Sequence, residues 1–515
     1  MRDAWALTAA DLTAAYGTGA VTPEDALESV LGRIEALNPE LNAIVTIDLA
    51  GARTAADAAG ARWRDGRALG PLDGIPLTVK DNLFVGGLRA TWGSALFVDF
   101  IAPQDDLPVA RLRAAGAVIV GKTNTPELSL SGYTDNLVFG STGNPWAPAL
   151  SPGGSSGGPV AAVASGMAPL ALATDAGGSI RRPAGHAGVA GLKPGLGRVP
   201  RRFGFPPLAH DLQVIGPIAR SVADLRAMFT IIAPARQSAP RPARALRIGT
   251  FATIGDAPIE PAVTAAFMAA CDVLRTQGHE VTPIAPLWDP DAVNTLFGLL
   301  AAAGVARVMA SIPEWENRVT ASIAEQARTG LTLSATDYLQ GLDRLTAFRA
   351  SMLDAMANWD VIATPSSPAL PWPRTSPYPT TIAGQIALPR TAATFSTAIN
   401  LAGLPAIIVP APVVLGALPV GLQLIGAPDT EGLLLDLAEQ FERASPWCQI
   451  APMAAAAAQR QQRPSLRVGA GVKCRWRARE TPTYPTPAST PGHPAQSSTR
   501  QRYGRKPGES RGPAR

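Results

Sequence analysis

The sequence is poor in cysteine, in aromatic residues and in charge. Of its 515 residues only three are Cys, 6% are aromatic and 17% are charged. A disulfide-stabilised fold would need far more Cys, and a disordered chain would have more charge and fewer apolar residues than the 46% found here. Because the Cys and His residues are also widely separated, we expect no structural zinc site. These limits leave a globular protein with a large core.

The chain also lacks an apolar run long enough to cross a bilayer. Leu296 to Ala306 is apolar but stops at Arg307, well short of the roughly 20 residues that a spanning helix needs. Residues 406–428 are interrupted by three prolines, which favours two short buried strands over one helix. The first residues show no signal-peptide pattern. We therefore expect a cytoplasmic protein that does not enter a membrane.

Positive charge is concentrated at the end of the chain. Residues 451–515 contain 13 Lys and Arg against two Asp and Glu, a net of +11, so the total of +5 leaves −6 for residues 1–450. This basic segment is of low complexity, and we expect a disordered tail over residues 451–515. The acidic body of the chain offers no basic surface to nucleic acid.

Helical and strand patterns alternate along most of the chain. Residues 1–66 are predicted to form a helical lead-in packed on the core, because Thr8 and Thr22 each begin a capping box, with Ile44 to Ile47 as a short strand. From residue 67 to 450, short β-branched runs alternate with helical patterns. Such alternation predicts one large α/β domain with a largely buried sheet.

Two loops rich in Gly and Ser are the densest candidate motif. The run Ser151-Pro152-Gly153-Gly154-Ser155-Ser156-Gly157-Gly158 is followed, about one helix later, by Asp175-Ala176-Gly177-Gly178-Ser179-Ile180-Arg181. Glycines at this density let backbone N–H groups turn toward one point, as a developing oxyanion requires. Composition alone is equally compatible with two flexible loops.

Two short patterns suggest other chemistry, and the residues around them argue against both. Gly153 to Gly157 fits the G-x-S-x-G nucleophile elbow with Ser155 as the nucleophile, but two prolines in residues 147–152 disfavour the strand that must precede it. Gly116 to Thr123 matches the phosphate-binding P-loop pattern, yet Ala117 to Val120 has the pattern of a strand instead of a glycine-rich loop.

Several ordered motifs together resemble the amidase signature family. They are Gly74 to Asn82, Gly121 to Glu127, Gly143 to Pro145, the Ser155 loop, Gly177 to Ala184, Gly191 to Pro194, Asp360 to Pro365 and Gly403 to Ala406. The resemblance spans roughly residues 8–447. It implies a mixed, mostly parallel, twisted central sheet covered by helices on both faces. It implies neither a cofactor nor a metal.

The family resemblance implies a Ser-Ser-Lys triad. Lys80, at the end of a predicted strand, matches the base, Ser155 the bridging serine after a cis peptide bond, and Ser179 the nucleophile. A buried lysine has a lowered pKa, and its neutral amine can act as a base. Lys80 would take a proton from Ser155, which would take one from Ser179 as it attacks the acyl carbon.

Other residues of the two loops are expected to support this triad. The implied oxyanion donors are the backbone N–H groups of Ala176, Gly177, Gly178 and Ser179. Ser156 is expected to support the site by hydrogen bonding, and Asp175 and Arg181 to be structural. Arg182 departs from the family pattern, in which Gln or an apolar residue is more usual, and this argues against an amidotransferase subunit.

The expected activity is hydrolysis of a small-molecule carboxylic amide, or of an ester, to acid plus ammonia or amine. The alternative is a glutamine-dependent amidotransferase A-type subunit that acts in a complex. A third interpretation is a silent or polyanion-binding protein dominated by its tail. A homodimer is the common case among symmetric enzymes.

The loops 129–139, 203–212 and 366–382 are expected to line the acyl site, since variable loops usually carry specificity. They contain the aromatic residues Tyr133, Phe203, Phe205, Trp372 and Tyr378. Their composition favours an apolar or aromatic acyl group.

Overall fold

A computed structural model describes residues 3–236, 244–414 and 416–452. These residues belong to one compact unit. The predicted disordered tail, 451–515, lies outside the described residues except for its first two positions.

The chain begins with three helices and one strand. They are α1 (Ala9–Thr18), α2 (Pro23–Leu41), β1 (Ile44–Ile47) and α3 (Leu49–Arg64). Both predicted capping boxes are confirmed, since Thr8 accepts a hydrogen bond from the Asp11 N–H and Thr22 accepts one from the Asp25 N–H. β1 pairs with β3 (Val118–Thr123), so the helical lead-in contributes the edge strand of the central sheet.

The elements that follow alternate as predicted. Up to residue 236 they are β2 (Pro76–Lys80), α4 (Leu107–Ala114), β3, α5 (Gly157–Ala164), β4 (Leu170–Asp175), α6 (Arg181–Ala187), β5 (Ala190–Lys193), β6 (Val214–Ala219) and α7 (Val222–Ile232). Beyond it they are β7 (Arg247–Thr250), α8 (Pro261–Thr276), β8 (Glu280–Pro283), α9 (Pro290–Met309), α10 (Ala321–Thr332), α11 (Ala335–Met356), β9 (Val361–Pro365), β10 (Thr381–Ile382), β11 (Gln385–Ile386), α12 (Thr397–Leu401), β12 (Ala406–Pro410), β13 (Gly421–Gly426) and α13 (Glu431–Ala444).

Eleven of these strands form one mixed sheet in the order β1-β3-β2-β4-β6-β5-β12-β13-β9-β7-β8. The pairs β3–β2, β2–β4, β9–β7 and β7–β8 are parallel, and the other six are antiparallel. The α/β class and the mixed sheet are confirmed, with a smaller parallel share than expected. For two of the six antiparallel pairs, the physical reason is that no described helix separates β5 from β6 or β12 from β13, and strands joined without a crossover pair antiparallel.

Helices cover both faces of this sheet. Along β3, Val118 and Val120 pack in one apolar cluster with residues of α2 and α3. Ile119 points to the opposite face, where it joins a cluster with residues of α4 and α7. This alternation follows from the two-residue period of a strand.

Among the described helices, only α9 is long and apolar enough to cross a membrane by length and composition. More than half of it is buried inside the protein, where it packs against α10 and α11. Leu300 and Val305 are fully buried. These contacts are those of a core helix, which accounts for its apolar sequence.

Candidate active site

The adjacent parallel strands β2 and β4 end at the same edge of the sheet. Lys80 is the last residue of β2, and Asp175 is the last residue of β4. The Ser155 loop leads into α5, which packs against both strands. The fold thus brings the three separate motifs together at one point, as binding sites of α/β sheets commonly require.

Lys80 is fully buried at this point. Its Nζ donates to Ser155 Oγ at 2.7 Å, to Ser156 Oγ at 3.0 Å and to Thr174 Oγ1 at 3.2 Å. Burial lowers the pKa of Lys80 to about 7, although the charge of Asp175 acts in the opposite direction. A large part of the Lys80 population is therefore a neutral amine near pH 7.

The Ser155 loop is held closely against its neighbours. The Gly154–Ser155 peptide bond is cis, as the family resemblance implied. Thr125 Oγ1 donates to the Ser155 carbonyl at 3.1 Å. A Cβ at Gly154 would lie 2.9 Å from backbone atoms of residues 131–133, so no larger residue fits there without a shift. The Ser155 hydroxyl is thereby fixed beside Lys80.

Ser179 lies on the neighbouring loop and is 8% exposed. The Ser156 N–H donates to the Ser179 carbonyl at 3.1 Å, which joins the two loops. The N–H groups of Ala176, Gly177 and Ser179 find no acceptor in the described part of the chain. The Gly178 N–H donates to the Asp175 carboxylate at 2.7 Å. The expectation that Gly178 is an oxyanion donor is therefore wrong, because its N–H is already bonded to Asp175.

Asp175 and Arg181 form a fully buried ion pair behind the Ser179 loop. Arg181 Nε and Nη2 each lie 3.0 Å from the Asp175 carboxylate, which also accepts the Ile180 N–H at 2.9 Å. Burial alone would raise the pKa of Asp175, but the Arg181 guanidinium holds it well below its usual range. Arg181 also donates to Gln423 at 2.9 Å and to Asn400. These contacts favour the predicted structural role.

Replacing Arg181 with Met should lower the free energy of unfolding by about 3–5 kcal/mol, because it leaves the Asp175 carboxylate buried without its partner. Urea denaturation followed by circular dichroism measures this change. The matched control is Arg275→Met, which removes an exposed partner of Asp272 and should change stability little. Equal effects of the two substitutions would contradict the structural role of Arg181.

Sequence reasoning missed Thr174 and Asn82. Thr174 Oγ1 accepts hydrogen bonds from Lys80 and, at 2.8 Å, from Asn82 Nδ2. A threonine inside a buried strand looks like an ordinary β-branched strand residue. The available signal was its position, since Thr174 directly precedes Asp175 at the functional end of β4.

The structure disfavours both competing motif interpretations. Lys122 of the P-loop pattern lies within β3 and pairs with buried Asp81 at 3.2 Å, so it reaches no phosphate cradle. Described residues 130–156 contain no strand that could lead into a nucleophile elbow. The elbow mechanism also needs a histidine base. His186 Nε2 is instead placed 3.0 Å from the Ala369 carbonyl. Among the described residues no three His, Cys, Asp or Glu side chains are grouped as metal ligands.

A cavity of about 740 Å³ opens onto Ser179. Tyr133 and Tyr378 line it, as predicted, whereas Phe203, Phe205 and Trp372 do not. Phe205 instead stacks on Trp92 in a separate apolar cluster, with the ring centroids 4.6 Å apart. Part of the wall comes from the core helix α9, which the sequence did not suggest.

Comparison with known proteins gives consistent results. The model of the Amidase family matches residues 25–435. The A subunit of the glutamyl-tRNA(Gln) amidotransferase of Roseiflexus sp. (strain RS-1) is 35% identical over 86% of this chain and 97% of its own length.

The solved structures that resemble this chain include amidohydrolases with other names. A 6-aminohexanoate cyclic dimer hydrolase is 27% identical with a TM-score of 0.78, covering 88% of this chain and 99% of its own. A bacterial aryl acylamidase of the amidase signature family is 25% identical with a TM-score of 0.79, covering 89% and 99%.

Proposed function

Since this chain belongs to the amidase signature family, whose members act on carbon–nitrogen bonds, we propose that it hydrolyses a small-molecule amide without a partner subunit. The observation that carries the proposal is the fully buried Lys80 Nζ at 2.7 Å from Ser155 Oγ. Ser179, on the adjoining loop, opens to the cavity.

In the proposed acylation step, Ser179 Oγ attacks the acyl carbon of the amide. Its proton passes to Ser155 Oγ while the Ser155 proton passes to the neutral Lys80 amine. The N–H groups of Ala176, Gly177 and Ser179 stabilise the negative oxygen that forms. The relay then returns a proton to the leaving nitrogen, the carbon–nitrogen bond breaks, and an acyl-enzyme remains.

Deacylation uses the same groups with water as the nucleophile. Water attacks the acyl carbon and its proton passes through Ser155 to Lys80. Collapse of the second tetrahedral intermediate returns a proton to Ser179 Oγ and releases the acid. An ester would follow the same route, with an alcohol as the leaving group.

Fluorophosphonate labelling of the purified chain, mapped by peptide mass spectrometry, tests this assignment. We expect the adduct on Ser179, and we expect Lys80→Ala to lose it while keeping the native circular dichroism spectrum. An adduct on Ser155 would support the nucleophile elbow instead. An intact, folded chain that takes no label at all would contradict the proposed nucleophile.

A second candidate function is supported by the names of the curated relatives, which are subunits of an amidotransferase. Such a subunit would need partner chains and would pass ammonia onward. The proposal predicts that the purified chain turns over simple amides by itself, as ammonia release would show. Turnover of glutamine only, and only after partner chains are added, would favour the second candidate.

A further inference from the structure

Two arginines, Arg182 and Arg390, line the cavity onto which Ser179 opens. Arg182 is 9% exposed and belongs to the first turn of α6, three residues after Ser179. Arg390 is partly buried and lies between β11 and α12. The proposed hydrolysis of a neutral amide assigns no task to either cation.

Arg182 is wedged between the Ser179 loop and residues 131–133. A Cβ at Gly178 would lie 2.9 Å from Arg182 Nε, and one at Gly132 would lie 3.0 Å from its Nη1. Nε is buried and has no hydrogen-bond partner. The guanidinium makes one weak hydrogen bond, from Nη2 to the Gly154 carbonyl at 3.5 Å. An unsatisfied buried donor of this kind is costly unless a ligand pairs with it.

Arg390 is fixed by two hydrogen bonds and a cation–π contact. Its Nε donates to Asn294 Oδ1 at 2.8 Å and its Nη2 to Thr397 Oγ1 at 2.9 Å. The guanidinium carbon lies 4.3 Å from the centroid of the Phe297 ring. That ring in turn abuts Gly177, where a Cβ would lie 3.2 Å from it. Arg390 therefore keeps a fixed position near the expected oxyanion site.

Neither arginine has a carboxylate partner within 4.0 Å in the described part of the chain. Burial, together with the charge of Arg182, lowers the pKa of Arg390 to about 10. Both groups still carry a positive charge at neutral pH.

The acidic residues of the cavity wall do not neutralise these cations. Glu127 accepts hydrogen bonds from Ser94 Oγ at 2.7 Å and from the Thr320 N–H at 2.8 Å. Asp135 lies 3.4 Å from the Tyr133 hydroxyl. Glu325 is exposed on α10. The wall nearest the Ser179 loop is thus left with two cations that no carboxylate of the described residues contacts.

We propose that Arg182 and Arg390 form a subsite for a carboxylate group carried by the substrate, so that the enzyme prefers amides that bear a negative charge. This inference rests on the proposed hydrolytic function and names its substrate class. A carboxylate matches the planar fork of a guanidinium, and it would supply both the missing acceptor and the missing counter-charge. The loop composition suggested an apolar acyl group, and the subsite adds a negative charge to the substrate, on either the acyl or the amine side.

Matched substrate pairs test the subsite. Succinamic, glutaramic and adipamic acids carry the carboxylate on the acyl side, and the corresponding diamides are their uncharged partners. N-butyrylglycine carries it on the amine side, with N-propylbutyramide as its partner. We expect kcat/KM to favour the charged member of at least one pair by about 100-fold, since hydrogen bonds to charged groups are strong.

Substitutions then assign the preference to the two arginines. Arg182→Met and Arg390→Met should each reduce the charged-to-neutral ratio of kcat/KM about tenfold or more, and the Lys variants should retain part of it because they keep the charge. Arg275→Met, at an exposed site on α8, serves as the control and should leave the ratio unchanged. A purely structural role would lower both rates together, and an unchanged ratio in the Met variants would overturn the subsite.

The outcomes separate this inference from the proposed function. Equal rates for charged and neutral amides would overturn the subsite and leave the hydrolase intact. If no amide is turned over, calorimetric titration with succinate, glutarate and adipate decides. Binding that Arg182→Met and Arg390→Met weaken would support the subsite, whereas no binding to the unmodified chain would refute it.

Discussion

Replacing Ser179 with Ala should lower kcat by at least about 10⁴-fold, because the attacking oxygen is lost and the relay has no proton to carry. KM should change little, since the rest of the cavity wall, including both arginines, is untouched. Steady-state assay of ammonia release measures the effect. The residual rate would come from water attacking an amide already held by the oxyanion donors.

Two controls make the Ser179 result specific. Ser351→Ala, on the exposed face of α11, should behave like the unmodified chain. Ser155→Ala should retain more activity than Ser179→Ala, because removing a proton relay leaves the nucleophile in place and costs about 10²–10⁴-fold. If Ser155→Ala were the more damaging change and Ser179→Ala kept a tenth of the activity, the assignment of the two serines would have to be reversed.

The site residues that lie in recognisable motifs could be named from the sequence, whereas Arg390 could not. Lys80, Ser155 and Ser179 lie in motifs with a fixed order, so recognising the motifs was enough to name them. Arg390 lies far from them in the sequence and in no such motif. Tertiary contacts with Asn294 and Phe297 of α9 and with Thr397 of α12 hold it at the same cavity.

Gly178 shows a different limit of sequence reasoning. A run of consecutive glycines offers several N–H groups, and nothing in the sequence tells which of them point toward a substrate. The Asp175 carboxylate, which pairs with Arg181, accepts a hydrogen bond from the Gly178 N–H. Whether the Gly178 N–H is free to bind a substrate is thus decided by a buried ion pair whose geometry depends on the tertiary fold.

The elements of the fold were better predicted than their pairing. The prolines within residues 406–428 correctly indicated two strands, observed as β12 and β13. Strand direction in a sheet depends on what connects the strands, and the sequence pattern marks strands more clearly than crossovers. The parallel pairs were therefore overestimated.

The activity should depend on pH through the protonation of Lys80. Because burial lowers the pKa of Lys80 to about 7, the neutral amine that acts as the base is lost on acidification. We expect log(kcat/KM) to rise with a slope of about one below pH 7 and to level off above it. Lys80→Met should lose at least about 10³-fold in kcat, and Lys80→Arg should be equally inactive because a guanidinium stays protonated.

The same lowered pKa also affects the stability of the folded protein. Between about pH 7 and 10.5 the unfolded chain binds a proton at this lysine that the folded chain does not, so Lys80 makes folding more favourable as pH rises through this window. The stability of Lys80→Met relative to the unmodified chain should therefore decline over that range, as urea denaturation at several pH values would show. A difference that stays constant, together with a flat pH–rate profile, would mean that Lys80 keeps its charge in the folded protein. A charged Lys80 could not accept the Ser155 proton, and the proposed relay would then fail at its first step.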